Sequence, residues 1–165
     1  VTTPVFRPLA LLERLNESGV RYIVVGGLAV GAWGHVRGTD DLDMVPDPSA
    51  DNLKLLTQVL EDLDGRVVVG DRALKPSAIK TFLRAGDKTL VRTSLGEVDV
   101  LQGLPQIPRY DELAPRAADA ELDGIQVRVC SLEDLRAMKR AADRPLDRVD
   151  LEALEIAHPE DPGDR

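Results

Sequence analysis

Cysteine occurs once and histidine twice in the 165 residues of this chain, and that scarcity removes two large classes of site at the outset. The lone Cys130 excludes an intramolecular disulfide and fits a reducing compartment. It closes the apolar run Ile125 to Val129, a setting that suits a buried structural thiol better than a nucleophile. His35 and His158 lie far apart, so nothing remains from which to build a zinc centre. Long apolar runs are missing as well: Tyr22 to Trp33 is too short and too glycine-rich to span a bilayer, which takes roughly 20 residues. Val1 to Pro8 has no basic region leading into an apolar core, so neither a secretory leader nor a lipid anchor is expected, and the cytoplasm is the expected location. There is no basic excess either. A net charge of −8 argues against indiscriminate nucleic-acid binding through the whole surface. Internal repeats and low-complexity linkers are absent from the sequence.

What the chain does contain is 43% hydrophobic residues, enough at this length for one sizeable core. One domain is expected over residues 1–157, with a short C-terminal helical part over about 131–157 and a flexible tail over 158–165. Leu9 to Asn16 has amphipathic helical spacing, and Gly19 is placed to stop it. Tyr22 to Val25 reads as a buried strand, and Leu28 to His35 as a short helix of small residues. Ser49 or Asp51 is placed to cap a helix through Leu63, whose apolar face carries Leu53, Leu56, Val59 and Leu60. Arg66 to Val69 is a strand candidate. Leu90 to Thr93 and Glu97 to Leu101 alternate across Ser94-Leu95-Gly96, which predicts a hairpin. Asp123-Gly124 predicts a second one before Val129. Ser131 to Asp134 has the spacing of a capping box that opens a helix through Ala142, and after Pro145 a last helix is expected over Asp147 to Ile156.

The chemistry concentrates between Gly26-Gly27 and Asp43. Asp41 and Asp43 alternate around Leu42, so on a strand both carboxylates share one face while the leucine packs on the other. Carboxylates so placed repel unless a cation sits between them, and Mg²⁺ favours carboxylate and phosphate oxygens. A solvated turn would also accommodate such a pair. Asp99, between Val98 and Val100, is costly to bury unless it is ligated or hydrogen-bonded, which makes it the natural third carboxylate; an edge strand turning Asp99 to water is the alternative. The G-x-G-x-x-G spacing of a dinucleotide fingerprint is absent after Gly26, and Val45-Pro46 breaks any resemblance to a calcium-binding loop. From Arg66 to Arg92 the cations Arg66, Arg72, Lys75, Lys80, Arg84, Lys88 and Arg92 exceed Asp71 and Asp87 by about five charges, either an ordinary solvated face or one that meets phosphate.

The ordered set Gly26-Gly27, then Arg37-Gly38-Thr39-Asp40-Asp41-Leu42-Asp43, then Asp99 resembles the nucleotidyltransferase superfamily of the DNA polymerase β type. The run Leu135 to Asp150, with Lys139 and Asp150, looks like the lysine-and-aspartate segment of its AbiEii-like branch, which contains toxin-type members of toxin–antitoxin systems. The resemblance implies an α/β (α+β) fold, with a mixed twisted sheet flanked by helices. It also implies that Asp41, Asp43 and Asp99 are catalytic and hold Mg²⁺ or Mn²⁺. Gly26, Gly27, Arg37, Thr39, Lys139 and Asp150 would serve the nucleotide, with Arg37 and Thr39 bracing the loop that carries the aspartates. Many members have serine where this chain has Gly27, and its hydroxyl can bind phosphate; here that contact must come from elsewhere.

The implied activity is transfer of a nucleoside monophosphate from a nucleoside triphosphate to a hydroxyl on an RNA or tRNA end or a protein, in a toxin-type protein with a cognate antitoxin. The alternatives are a catalytically silent binding or regulatory module of the same fold, and a small-molecule transferase of the aminoglycoside-modifying type. The acidic balance would suit a cationic substrate for the last of these.

Overall fold

The computed structural model describes residues 4–160. In chain order its elements are helix α1 (Pro8–Glu17), strand β1 (Tyr22–Val25), α2 (Gly26–Ala32), β2 (Asp41–Pro46), α3 (Ala50–Asp62), β3 (Arg66–Val69), β4 (Arg72–Ala73) and α4 (Ile79–Ala85). Then follow β5 (Thr89–Thr93), β6 (Gly96–Val100), α5 (Tyr110–Leu113), β7 (Ala118–Leu122), β8 (Ile125–Val129), α6 (Leu132–Ala142) and α7 (Pro145–Ala157).

The strands form an eight-stranded sheet in the order β4-β3-β5-β6-β2-β1-β8-β7. It is mixed: β1 runs antiparallel to β2 but parallel to β8, and β2 runs parallel to β6. Antiparallel hairpins β5–β6 and β7–β8 complete it, and with helices α1 to α7 it makes the mixed α/β fold expected of the resemblance. The β7–β8 turn puts both Asp123 and Gly124 at positive φ, the conformation that a two-residue hairpin of this sequence favours.

Alternation decides which residues enter the core. Leu42 and Met44 on β2, with Val98 and Val100 on β6, are fully buried. Leu11, Leu12 and Leu15 of α1 and Leu56 and Leu60 of α3 are also fully buried, as the stripes of amphipathic helices should be. The intervening residues of β2 and β6 are Asp41, Asp43 and Asp99, and they share the opposite face.

Two boundaries differ from the sequence expectation for identifiable reasons. Helix α2 starts on the glycine pair itself, because Gly26 turns at φ +65° directly out of β1, and Gly34 at φ +110° stops it before His35. Pro145 opens α7 instead of merely interrupting the chain; at the first helical position its missing N–H costs nothing. Helices α4 and α5 and strand β4 were not foreseen; α4 spans seven residues, α5 four and β4 two, each too short for a period to show. Of the expected tail, His158 to Glu160 touches the body: the His158 ring stands edge-on to Trp33, and Glu160 pairs with Arg140 at 3.0 Å. Residues 161–165 lie outside the described residues.

Candidate active site

Because β2 and β6 are parallel neighbours, Asp43 lies directly across from Asp99, and Asp41 stands one pleat away on the same face. One oxygen from each of the three carboxylates can be chosen so that all lie within 4.8 Å of one another. Strand β6 is interior, between β5 and β2, so Asp99 does not point to water from an edge. It is 9% exposed; its Oδ2 meets Lys88 Nζ at 3.1 Å, and its Oδ1 is buried with no hydrogen-bond partner.

Burial, then the neighbouring charges of Asp41 and Asp99, push the Asp43 carboxyl up to about 7. Burial and then Asp99 raise that of Asp41 too. Three converging carboxylates and a buried orphan oxygen fit a hard divalent cation, whose charge would relieve this repulsion.

The glycine pair forms the floor above these aspartates, and its two members are needed for different reasons. A Cβ on Gly26 would collide with Asp43 Oδ2, and the residue sits at positive φ. A Cβ on Gly27 would lie 2.7 Å from Thr39 Oγ1 and 3.0 Å from Thr39 Cβ. The Thr39 hydroxyl therefore fills the space that a side chain at residue 27 would use. It donates only weakly, to the Asp41 main-chain oxygen at 3.4 Å and to Asp41 Oδ1 at 3.5 Å.

Behind the floor is an ionic network centred on the buried Lys139, Asp147 and Asp150. Arg37 grips Asp150 with two hydrogen bonds of 2.7 and 2.9 Å. Lys139 Nζ donates to Asp147 Oδ1 at 3.0 Å and meets Asp150 Oδ2 at 2.9 Å. Arg144 closes the set on Asp147 Oδ2 at 2.7 Å. Burial alone would raise the Asp147 carboxyl, but hydrogen bonds from Arg144 and Lys139 outweigh it and hold the group at about 2. Asp150 is lowered in the same way, its burial overcome by Arg37 and Lys139.

The resulting cleft holds about 930 Å³. Gly26, Gly27, Arg37, Thr39, Asp41, Asp43, Asp99 and Lys139 all line it, so the structure brings these sequence-nominated residues together. Asp150 does not line it; it is wholly buried behind Arg37 and Lys139, with both oxygens taken. Lys88, Arg144 and an apolar wall of Leu104, Ile107 and Met138 join the lining without having been nominated; Asp147, which the resemblance sets behind Asp150 in its acidic motif, joins it too. Lys88 was counted in the basic stretch, and of that stretch it alone reaches the cleft. Cys130 is fully buried with its thiol pushed up to about 12 by burial, in keeping with a structural role.

A family model described as "Nucleotidyltransferase of unknown function (DUF6036)" matches residues 5–161. No curated protein sequence matches the chain. Among solved structures, lincomycin-bound LnuA, a lincosamide antibiotic adenylyltransferase, is similar with a TM-score of 0.65 at 17% identity, over 89% of this chain and 93% of that one. The antibiotic-resistance factor ANT(2'')-Ia gives 0.57 at 19% identity, over 89% of this chain and 78% of that one. A nucleotidyltransferase-type structure from Thermotoga maritima gives 0.52 at 16% identity, over 93% and 94%. At such identities these likenesses speak to the fold.

Proposed function

This chain belongs to the DUF6036 nucleotidyltransferases, and from that membership we propose that it moves a nucleoside monophosphate from a nucleoside triphosphate to a hydroxyl, releasing pyrophosphate. The observation that carries the reading is the convergence of Asp41, Asp43 and Asp99 beneath Gly26. Mg²⁺ or Mn²⁺ held by these three carboxylates would supply positive charge to the attacking and leaving oxygens. The rest of the work is positioning, which this kind of transfer mainly requires.

Asp99 completes the site and helps activate the acceptor hydroxyl, which gives up its proton as the new oxygen–phosphorus bond forms and the bond to pyrophosphate breaks. Gly26 and Gly27 keep side chains out of the floor. Thr39 offers its weakly engaged hydroxyl where many relatives place a serine. Lys139 has three N–H donors; Asp147 and Asp150 engage two, which leaves one for phosphate. Asp150 acts through Arg37 and Lys139 as a positioning residue and does not touch nucleotide.

A small-molecule acceptor is the favoured substrate class. Its supports are the acidic Asp40 on the cleft lining, the net charge of −8, and the fold likeness to LnuA. The toxin-type reading rests on the segment Leu135 to Asp150. Its lysine and aspartates form a buried brace that a transferase with either kind of acceptor would need.

The test is incubation with α-labelled nucleoside triphosphates and Mg²⁺, offering cationic amino sugars in one arm and cellular RNA and protein in the other. Label entering the first arm supports the small-molecule reading, and label entering the second supports the toxin type. An Asp41→Asn/Asp43→Asn variant should lose at least about 10³-fold in rate. Equal labelling by that variant and the wild type would sink the assignment.

A further inference from the structure

Lys88 has no part in the chemistry above, yet among the described residues it is the one cation within ion-pair distance of any of the three carboxylates. It follows the left-handed Gly86 and immediately precedes β5, and it reaches into the cleft. Its Nζ stands 3.1 Å from Asp99 Oδ2, while its side chain is 49% exposed against 12% for Asp99. Asp99 is fixed by an interior strand. Lys88 sits on a turn and has solvent to move into at little cost.

A divalent ion collecting one oxygen from each carboxylate would sit close to this ammonium, and two cations so placed repel, by less where solvent reaches the half-exposed lysine. With no cation present, by contrast, three carboxylates within 4.8 Å of one another need a positive charge nearby. Lys88 is placed to supply it.

We propose that Lys88 is a displaceable internal counter-cation: it neutralises Asp99 while no metal is bound, competes with the metal for that carboxylate, and so sets the metal affinity of the site. This rests on the metal-dependent reading above. Its role is to position and to tune, and it holds whichever hydroxyl is the acceptor.

Mn²⁺ binding to the full chain without nucleotide, followed by calorimetry, tests it alongside thermal melting in chelator and in saturating Mn²⁺. Lys88→Met keeps the stem and removes the charge; it should bind Mn²⁺ about tenfold more tightly, the scale of effect that one adjacent charge has on an ionic equilibrium. It should also melt below wild type in chelator and level with wild type at saturating Mn²⁺, because the lysine has by then left Asp99. Lys88→Arg, which retains the cation, should stay near wild type in both measurements. Lys80→Met removes an exposed positive charge on α4 and should change neither. Unchanged or weaker Mn²⁺ binding by Lys88→Met, a tightening equalled by Lys80→Met, or a melting deficit that persists at saturating Mn²⁺ overturns the proposal. Wild type failing to bind Mn²⁺, or binding that survives Asp41→Asn/Asp43→Asn, overturns the metal reading and this inference with it.

Discussion

A methyl group on residue 26 would collide with an oxygen of Asp43, and the backbone there is left-handed, so glycine is required twice over. Gly26→Ala should cost about 1–3 kcal/mol of stability and abolish metal-enhanced nucleotide binding; urea unfolding and calorimetry measure the two. Gly27 is constrained from outside, by Thr39. If the Thr39 hydroxyl serves phosphate, Thr39→Ala should weaken triphosphate binding about tenfold or more, the scale of one hydrogen bond to a charged group. Gly27→Ser alone should also fail, through collision with Thr39. Gly27→Ser with Thr39→Gly moves the hydroxyl across the gap and clears the Thr39 Cβ as well, so the pair should bind better than either single variant. Asp43 carries the pH dependence. Its carboxyl, pushed from 3.8 to about 7, keeps in the folded chain a proton that the unfolded chain has lost. Metal-free stability from this group is therefore greatest below about 4 and declines as pH rises to about 7. A melting series in chelator should show that decline in the wild type and a flatter profile in Asp43→Asn.

The register of whole elements turns separate residues into a site. Alternation around Leu42, and Asp99 between two valines, made the three carboxylates legible because the period of a strand is visible in a few residues. The parallel pairing that sets Asp43 against Asp99 was not legible, since nothing local in β2 or β6 specifies their adjacency. The same holds for the brace. Lys139 and Asp150 stood out by resemblance, but Arg37 reaching Asp150 across 113 positions, with both oxygens of that aspartate consumed, depends on how α7 packs. Lys88 could not be told from the other cations of the basic stretch for a similar reason, because it matters only once β6 lies beside the turn that carries it. Asp150→Ala would strand Arg37 and Lys139, both largely buried, without their shared counter-charge. It should cost about 3–5 kcal/mol, as breaking a buried pair from one side does, and urea unfolding would show it. An Arg37→Met/Asp150→Leu pair should recover much of that loss, since removing both charges leaves fewer uncompensated.

Across the molecule, an acidic chain gathers charges of both signs in its cleft. The net −8 is spread over the chain, while Arg37, Lys88, Lys139 and Arg144 gather around the carboxylates. A triphosphate therefore approaches an acidic protein, and the third N–H of Lys139 and a metal on the carboxylates would be what receives it. The central claim is that Asp41, Asp43 and Asp99 form a metal–triphosphate site. Titrating a non-hydrolysable nucleoside triphosphate into wild type and Asp43→Asn, each with and without Mg²⁺, tests it most directly. Tight binding that needs both Mg²⁺ and Asp43 is the predicted result; binding that is indifferent to Mg²⁺, or unchanged in Asp43→Asn, would contradict the account.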